Sequence, residues 1–191
     1  MATIHRSGST GPLRGKVGGM VYSLQANGVT TVRSVGEQTG PSTPGEKKGQ
    51  SRMKLAHPYV RSVLNDPKLR AVYDEPARAR GMRVCDLITS DFLTNPVIVA
   101  VNADRYQGCA GDTVIVIGGD NFKIVRVGVM LRDAQQRRLE EGFALPVEPS
   151  LLATWFYTAQ KDLAPGQLIT FEVTATDRCG HSCVKSVTRE I

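Results

Sequence analysis

The sequence predicts a mainly β chain with short helices: a C-terminal seven-stranded β-sandwich preceded by a β-hairpin arm and a short helical region. Three observations predict it. From Pro96 onward, seven apolar or alternating segments are separated by turn signals. Residues 18–35, GGMVYSLQANGVTTVRSV, carry valines on both sides of Asn27-Gly28, a dipeptide that favours tight hairpin turns. Between these regions lie a helix-capping pattern at Thr43 and apolar residues at helical spacing.

Taken in order, residues 1–15 are rich in Gly, Ser, Thr and Pro and lack periodicity, which predicts a flexible or partner-ordered arm. Residues 16–35 form the hairpin, with Gly18 and Gly19 inside its first strand and a type I′ turn at Asn27-Gly28. No third strand is legible in the next 60 residues, and a lone hairpin is marginal in water. The hairpin is therefore expected to pair outside itself, presenting Val17, Val21, Tyr22, Val29, Val32 and Arg33.

The linker GEQTGPSTPGEKKGQ contains a helix start. Thr43 caps, Pro44 takes the first helical position, and Glu46 completes a capping box. A basic helix over residues 44–56 follows, carrying Lys47, Lys48, Arg52 and Lys54, with Gly45 and Gly49 lowering its propensity. Pro58, Pro67 and Pro76 are expected to cut the region into short helices, with starts at Asp66-Pro67 and Asp74-Glu75-Pro76. Val84, Leu87, Ile88 and Phe92 recur at helical spacing before Asn95-Pro96. The expected organisation is arm and hairpin over 1–42, helical segment over 43–95 and sandwich over 96–191.

The strand segments of that sandwich are PVIVAV, DTVIVIGG, NFKIVRVGVMLRD, RRLEEGFAL, LATWFYTA, QLITFEVTATD and CVKSVTREI. Ile169, Phe171, Val173 and Ala175 alternate with Thr170, Glu172, Thr174 and Thr176, so the first set faces the core. In the third segment Val125, Val127 and Val129 alternate with Ile124, Arg126 and Gly128. The lone Trp155 is a candidate for the buried core aromatic. Asp104, Asp112 and Asp120 punctuate loops and read as turn residues rather than calcium ligands, because their spacing lacks the dense clustering of a calcium loop.

Composition narrows the function classes. With 41% hydrophobic and 22% charged residues, the chain has enough apolar material for a packed core and is not a disordered type. Its apolar runs, such as 97–101 and 114–117, are too short for a membrane span. The basic N-terminus lacks the apolar core of a signal peptide, which predicts a cytoplasmic or virion-associated protein, or export by a non-classical route. Charge is uneven: residues 1–95 carry 14 Lys/Arg against 7 Asp/Glu, while residues 96–191 carry 10 against 11. A basic front half predicts an acidic partner surface or nucleic acid. The four cysteines are too few and too irregular for a disulfide scaffold and are expected to be reduced.

Motifs with chemistry are incomplete. In CGHSC, residues 179–183, Cys179, His181 and Cys183 are soft ligands, and Cys109 is a further thiol that could take a fourth position. C-x-H-x-C misses both the ligand count and the spacing of zinc sites, so no metal and no cofactor is expected. GPLRGKV lacks the first glycine and the final hydroxyl of a phosphate-binding loop. SRMK lacks the partner motifs of a serine acyl-enzyme, and the three histidines adjoin no nucleophile motif. A non-enzymatic protein is expected.

The stretch FEVTATDRCGHSCVKSV resembles the last hairpin of bacterial immunoglobulin-like or fibronectin-like modules, which read V-x-A-x-D-x-x-G-N before the closing strand. His181 stands where that pattern has Asn. The resemblance covers residues 96–191 and implies an Ig-like sandwich, a fold that hosts many roles. Residues 14–56 resemble the opening of uncharacterised bacterial and phage-borne families, with G-x-V-G, a short hairpin and T-P-x-x-Q; here Lys47 and Lys48 occupy the Gln slot. That resemblance implies a structural or assembly role. The expected function is a structural subunit that self-assembles into a filament, fibre or virion component, a homo-oligomer or polymer joined by strand addition or arm exchange of the hairpin. The alternative is a basic nucleic-acid-associated module of low sequence specificity.

Overall fold

The computed structural model describes residues 2–4, 14–25, 28–36, 40–147 and 153–191, with residues 2–4 described by their backbone alone. The chain divides into two compact units, residues 1–89 and 90–191.

The hairpin finds its partners upstream. Strands β1 (Ala2–Ile4), β2 (Gly15–Val17), β3 (Met20–Leu24) and β4 (Thr30–Ser34) form one antiparallel sheet in the order β1-β4-β3-β2. Among the described residues, the 60 after the hairpin hold helices and no strand, as read; the further strand comes from the arm. The arm supplies β1, and the residues read as one strand before the turn are two. Val17 pairs with Met20, so Gly18-Gly19 is itself a two-residue turn, with Gly18 at φ 57°. Glycine is needed there because a side chain at that φ is strained.

The second turn is corrected too. Leu24 pairs with Thr30, Gln25 N–H donates to Val29 O at 2.8 Å, and Gly28 N–H donates to Gln25 O at 3.0 Å. This register puts three residues, not two, between Gln25 and Val29, and Gly28 has φ 80°. A glycine at the third loop position fits the three-residue hairpin with a G1 bulge. Asn27 lies outside the described residues.

Helix α1 (Pro44–Asn65) starts on the predicted capping box: Thr43 N–H donates to Glu46 Oε2 at 2.7 Å, and Glu46 N–H donates to Thr43 Oγ1 at 3.3 Å. It runs through Pro58, and α2 (Pro67–Ala79) runs through Pro76. An interior proline removes one backbone donor and costs roughly 3 kcal/mol, so the expected breaks are sound on propensity alone. Packing overrides them. Ala56 and Val63 of α1 and Tyr73 and Ala77 of α2 are buried, and the two helices contact each other. Asp66 caps α2 as expected, accepting from Lys68 N–H at 2.9 Å, whereas Asp74-Glu75 lies inside it. Helix α3 (Val84–Leu93) follows.

All seven predicted strands are present: β5 (Val97–Asn102), β6 (Thr113–Gly119), β7 (Ile124–Arg132), β8 (Arg138–Pro146), β9 (Ala153–Thr158), β10 (Leu168–Asp177) and β11 (Ser182–Glu190). They form an antiparallel, barrel-like sandwich in the order β11-β10-β7-β8-β9-β6-β5. β8 pairs along β7 from Arg138 to Ala144, then with β9 through Leu145 and Pro146, so it passes from one layer to the other. The core holds Trp155 as expected, and Ile169, Phe171, Val173 and Ala175 are fully buried.

The expected alternation of β7 fails at one place. Ile124 is buried and Val125 exposed, because the pairing with β10 slips between Thr176 and Asp177 and leaves Val125 as the extra residue of a bulge. The two terminal strands of the body, β11 and β5, approach each other. β11 contacts β5, where Lys185 Nζ donates to Val99 O at 2.6 Å and Arg189 Nη1 donates to Ala103 O at 2.5 Å. Val99 sits in a β5 bulge that turns its carbonyl away from the β6 ladder. Charged side chains and a bulge at an edge are devices against strand addition.

Among the polar groups buried in the body, Glu140 is satisfied by three donors. Glu140, 3% exposed, accepts from the Tyr157 hydroxyl, Gln160 N–H at 2.8 Å and Lys161 N–H at 3.1 Å. Burial, then the Glu140 carboxylate, push the Tyr157 phenol up.

Candidate functional site

The densest grouping of reactive side chains in the body is at the β10–β11 turn. Asp177 N–H donates to His181 O at 3.0 Å, so these residues close the hairpin around Arg178, Cys179 and Gly180. Gly180, at φ 87°, occupies the third position, as Gly28 does in the N-terminal sheet. The Asp177 side chain is fully buried and spans the turn: Oδ1 accepts from His181 N–H at 2.7 Å, and Oδ2 lies 2.9 Å from His181 Nδ1. The His181 ring packs edge-on against Phe92 of α3, with centroids 5.4 Å apart. Cys179 Sγ donates to Oδ2 of the buried Asp91, also on α3, at 3.4 Å.

The β6–β7 loop adds to this end. Asn121 Nδ2 donates to Ser90 Oγ at 2.5 Å. Asp120 Oδ1 accepts from Asn121 N–H at 2.8 Å, and its Oδ2 is buried without a hydrogen-bond partner. Burial pushes the Asp120 carboxyl up, and the charge of Asp177 adds to this, against the backbone N–H groups of Asn121, Lys123 and Phe122. Asp91, Asp120 and Asp177 thus gather three carboxylates at one end of the sandwich.

Ligand atoms of Asp177, Cys179 and His181 lie within 4.8 Å of one another. The sequence reading grouped Cys179 and His181 with Cys183, and that grouping is corrected. Cys183 pairs with Ala175, whose side chain faces the core, and Cys183 packs there. The alternation was right but its phase ran the wrong way: the third residue is two before Cys179, not two after His181. Asp177 and Asp91 went unread, and Asp120 was read as a turn residue only. Asp-x-Cys-x-His at alternate positions was a legible signal for the first; the other two arrive through tertiary structure.

The remaining predicted residues fall into two groups. On the N-terminal sheet, register places Val17, Met20, Tyr22, Leu24, Thr30 and Val32 on one face and Lys16, Val21, Ser23, Thr31 and Arg33 on the other. Val17 and Met20 are 61% and 50% exposed, while Tyr22, Val29 and Val32 are half-buried. Only Val17 of the predicted interface residues is on an outermost strand; Val21, Tyr22, Val32 and Arg33 are on strands paired on both sides, and Val29 lies in the turn. On α1, Lys47, Lys54 and Arg61 lie opposite the buried Ala56 and Val63, Lys48 is on the flank and Arg52 is on the same side as Ala56 and Val63, all five basic residues exposed.

No family model matches the chain, and no curated protein matches it. Two solved structures are similar to part of it. CopC from Methylosinus trichosporium OB3b is 14% identical with a TM-score of 0.36, over 49% of this chain and 90% of that one. A conjugative transposon lipoprotein from Bacteroides eggerthii is 8% identical with a TM-score of 0.24, over 50% and 94%. Among the described residues, no helix is long and apolar enough to cross a membrane.

Proposed function

We propose that the chain is a non-enzymatic structural subunit that assembles into an open chain through its N-terminal sheet. The observation that carries this is the topology of that sheet. Among the described residues, it shares no strand with the seven-stranded body, and its outermost strands, β1 and β2, each have one unpaired margin. A β2 margin offered to the β1 margin of the next copy is a heterologous contact, which propagates as a filament unless the rotation closes. The exposed Val17 and Met20 beside the β2 margin would be covered. The guarded edges of the body favour the N-terminal sheet as both donor and acceptor. Body strand order also supports the immunoglobulin-like reading: β5-β6-β9-β8 and β7-β10-β11 reproduce the two sheets of that fold, ABED and CFG.

Light scattering coupled to size exclusion, with negative-stain imaging, tests the assembly. Mass should grow with concentration, and Val17→Asp combined with Lys16→Pro should return the protein to single particles. A parent chain that stays monomeric at every concentration overturns it. The second reading, an acidic partner such as nucleic acid, rests on the basic outer face of α1. Charge reversal at Lys47 and Lys54 should then weaken duplex binding and flatten its salt dependence.

A further inference from the structure

We propose that Asp177, Cys179 and His181 form a binding site for a divalent transition metal of the zinc class. The donor set is the first argument. A thiolate, an imidazole and a carboxylate are the groups zinc takes, and a sulfur–nitrogen pair selects against calcium and magnesium. Four-coordinate zinc, with bonds of about 2.0–2.3 Å, sets its ligand atoms roughly 3.3–3.8 Å apart. Here the three atoms lie within 4.8 Å of one another, and Cys179 Sγ is 3.4 Å from Asp91 Oδ2.

Charge is the second argument, and it is independent. The same end of the body buries Asp91 and Asp177, and the Asp120 Oδ2 beside them is buried with no hydrogen bond. Carboxylates gathered out of water are costly unless paired or bound to a cation. When the metal enters, the Cys179 thiol gives up its proton to solvent and binds as thiolate. His181 binds as neutral imidazole. Asp177 and the thiolate then balance the two positive charges of the ion.

The test uses the full chain, stripped with chelator and then given Zn²⁺ or Co²⁺ alone. One equivalent of zinc should be retained after dialysis, and Co²⁺ should show a thiolate charge-transfer band. Cys179→Ser and His181→Asn should each weaken zinc binding at least tenfold, with Cys109→Ser unchanged. A second measurement needs no variant. Zinc should protect Cys179 from alkylation, mapped by mass spectrometry, while Cys109 reacts as before. Less than stoichiometric zinc in the parent chain, zinc binding unaltered by both substitutions, or Cys179 alkylated at the same rate with and without zinc overturns the proposal.

Discussion

Replacing Glu140 by Gln keeps the shape of the side chain but removes one of its two acceptor atoms. In the parent, Oε1 takes the Tyr157 hydroxyl and Gln160 N–H, and Oε2 takes Lys161 N–H. The best orientation of the new amide keeps its oxygen at Oε1 and sets its NH₂ against the Lys161 N–H, donor facing donor. One buried donor is orphaned, a loss of about 1–3 kcal/mol. The other two bonds weaken as the charge goes, and relief of charge burial offsets this. The net expectation is a loss of about 2 kcal/mol, which lowers the melting temperature of a body this size by roughly 10 °C. Trp155 is the only tryptophan and lies in the core of the body, so its fluorescence reports that unit alone during urea unfolding. Glu140→Met, which orphans all three donors, should cost more than Glu140→Gln. Tyr157→Phe removes one charge-assisted bond and should cost about 1.5–3 kcal/mol. A Glu140→Gln curve within about 0.5 kcal/mol of the parent would refute this reasoning, because such a shift is what a surface change gives.

Three further outcomes are expected. Thr43→Ala removes the α1 cap and should cost about 1 kcal/mol, read as faster amide exchange in the first turn of α1 with the Trp155 unfolding curve unmoved. Gly118→Ala places a Cβ 2.9 Å from Ile124 Cδ1, 3.2 Å from the Val97 carbonyl and 3.3 Å from Trp155 Cζ3; the backbone contact cannot yield cheaply, so a loss of roughly 1–3 kcal/mol with altered Trp155 emission is expected. Burial raises the Tyr106 phenol from 10.0 to about 12, so the unfolded chain releases that proton first. The stability contributed by the protonated phenol is intact below pH 10 and lost as pH rises towards about 12. Alkaline denaturation should show this loss, and Tyr106→Phe should reduce it. The Tyr106 hydroxyl is buried without a hydrogen bond, so that substitution should cost little at neutral pH.

The sequence by itself determined the elements whose causes are local. The capping box at Thr43 and the Asp66 cap of α2 are short-range hydrogen-bond chemistry, and the seven body strands carry period-two burial bounded by turn residues. These need no knowledge of what lies across the sheet. Tertiary structure decided everything that depends on a distant partner. α1 and α2 pass through Pro58 and Pro76 because buried contacts outweigh a local penalty. The phase of β7 flips at Val125 because its pairing with β10 slips by one residue there, which no periodicity of a single segment records. The front hairpin acquires β1 and β2 because register, not propensity, selects its partners. The meeting of Asp91, Asp120 and the Asp177–His181 turn at one end of the body exists only where three segments distant in the chain come together. Only Asp177, Cys179 and His181 share a turn, and their grouping depended on which face of β11 looked inward.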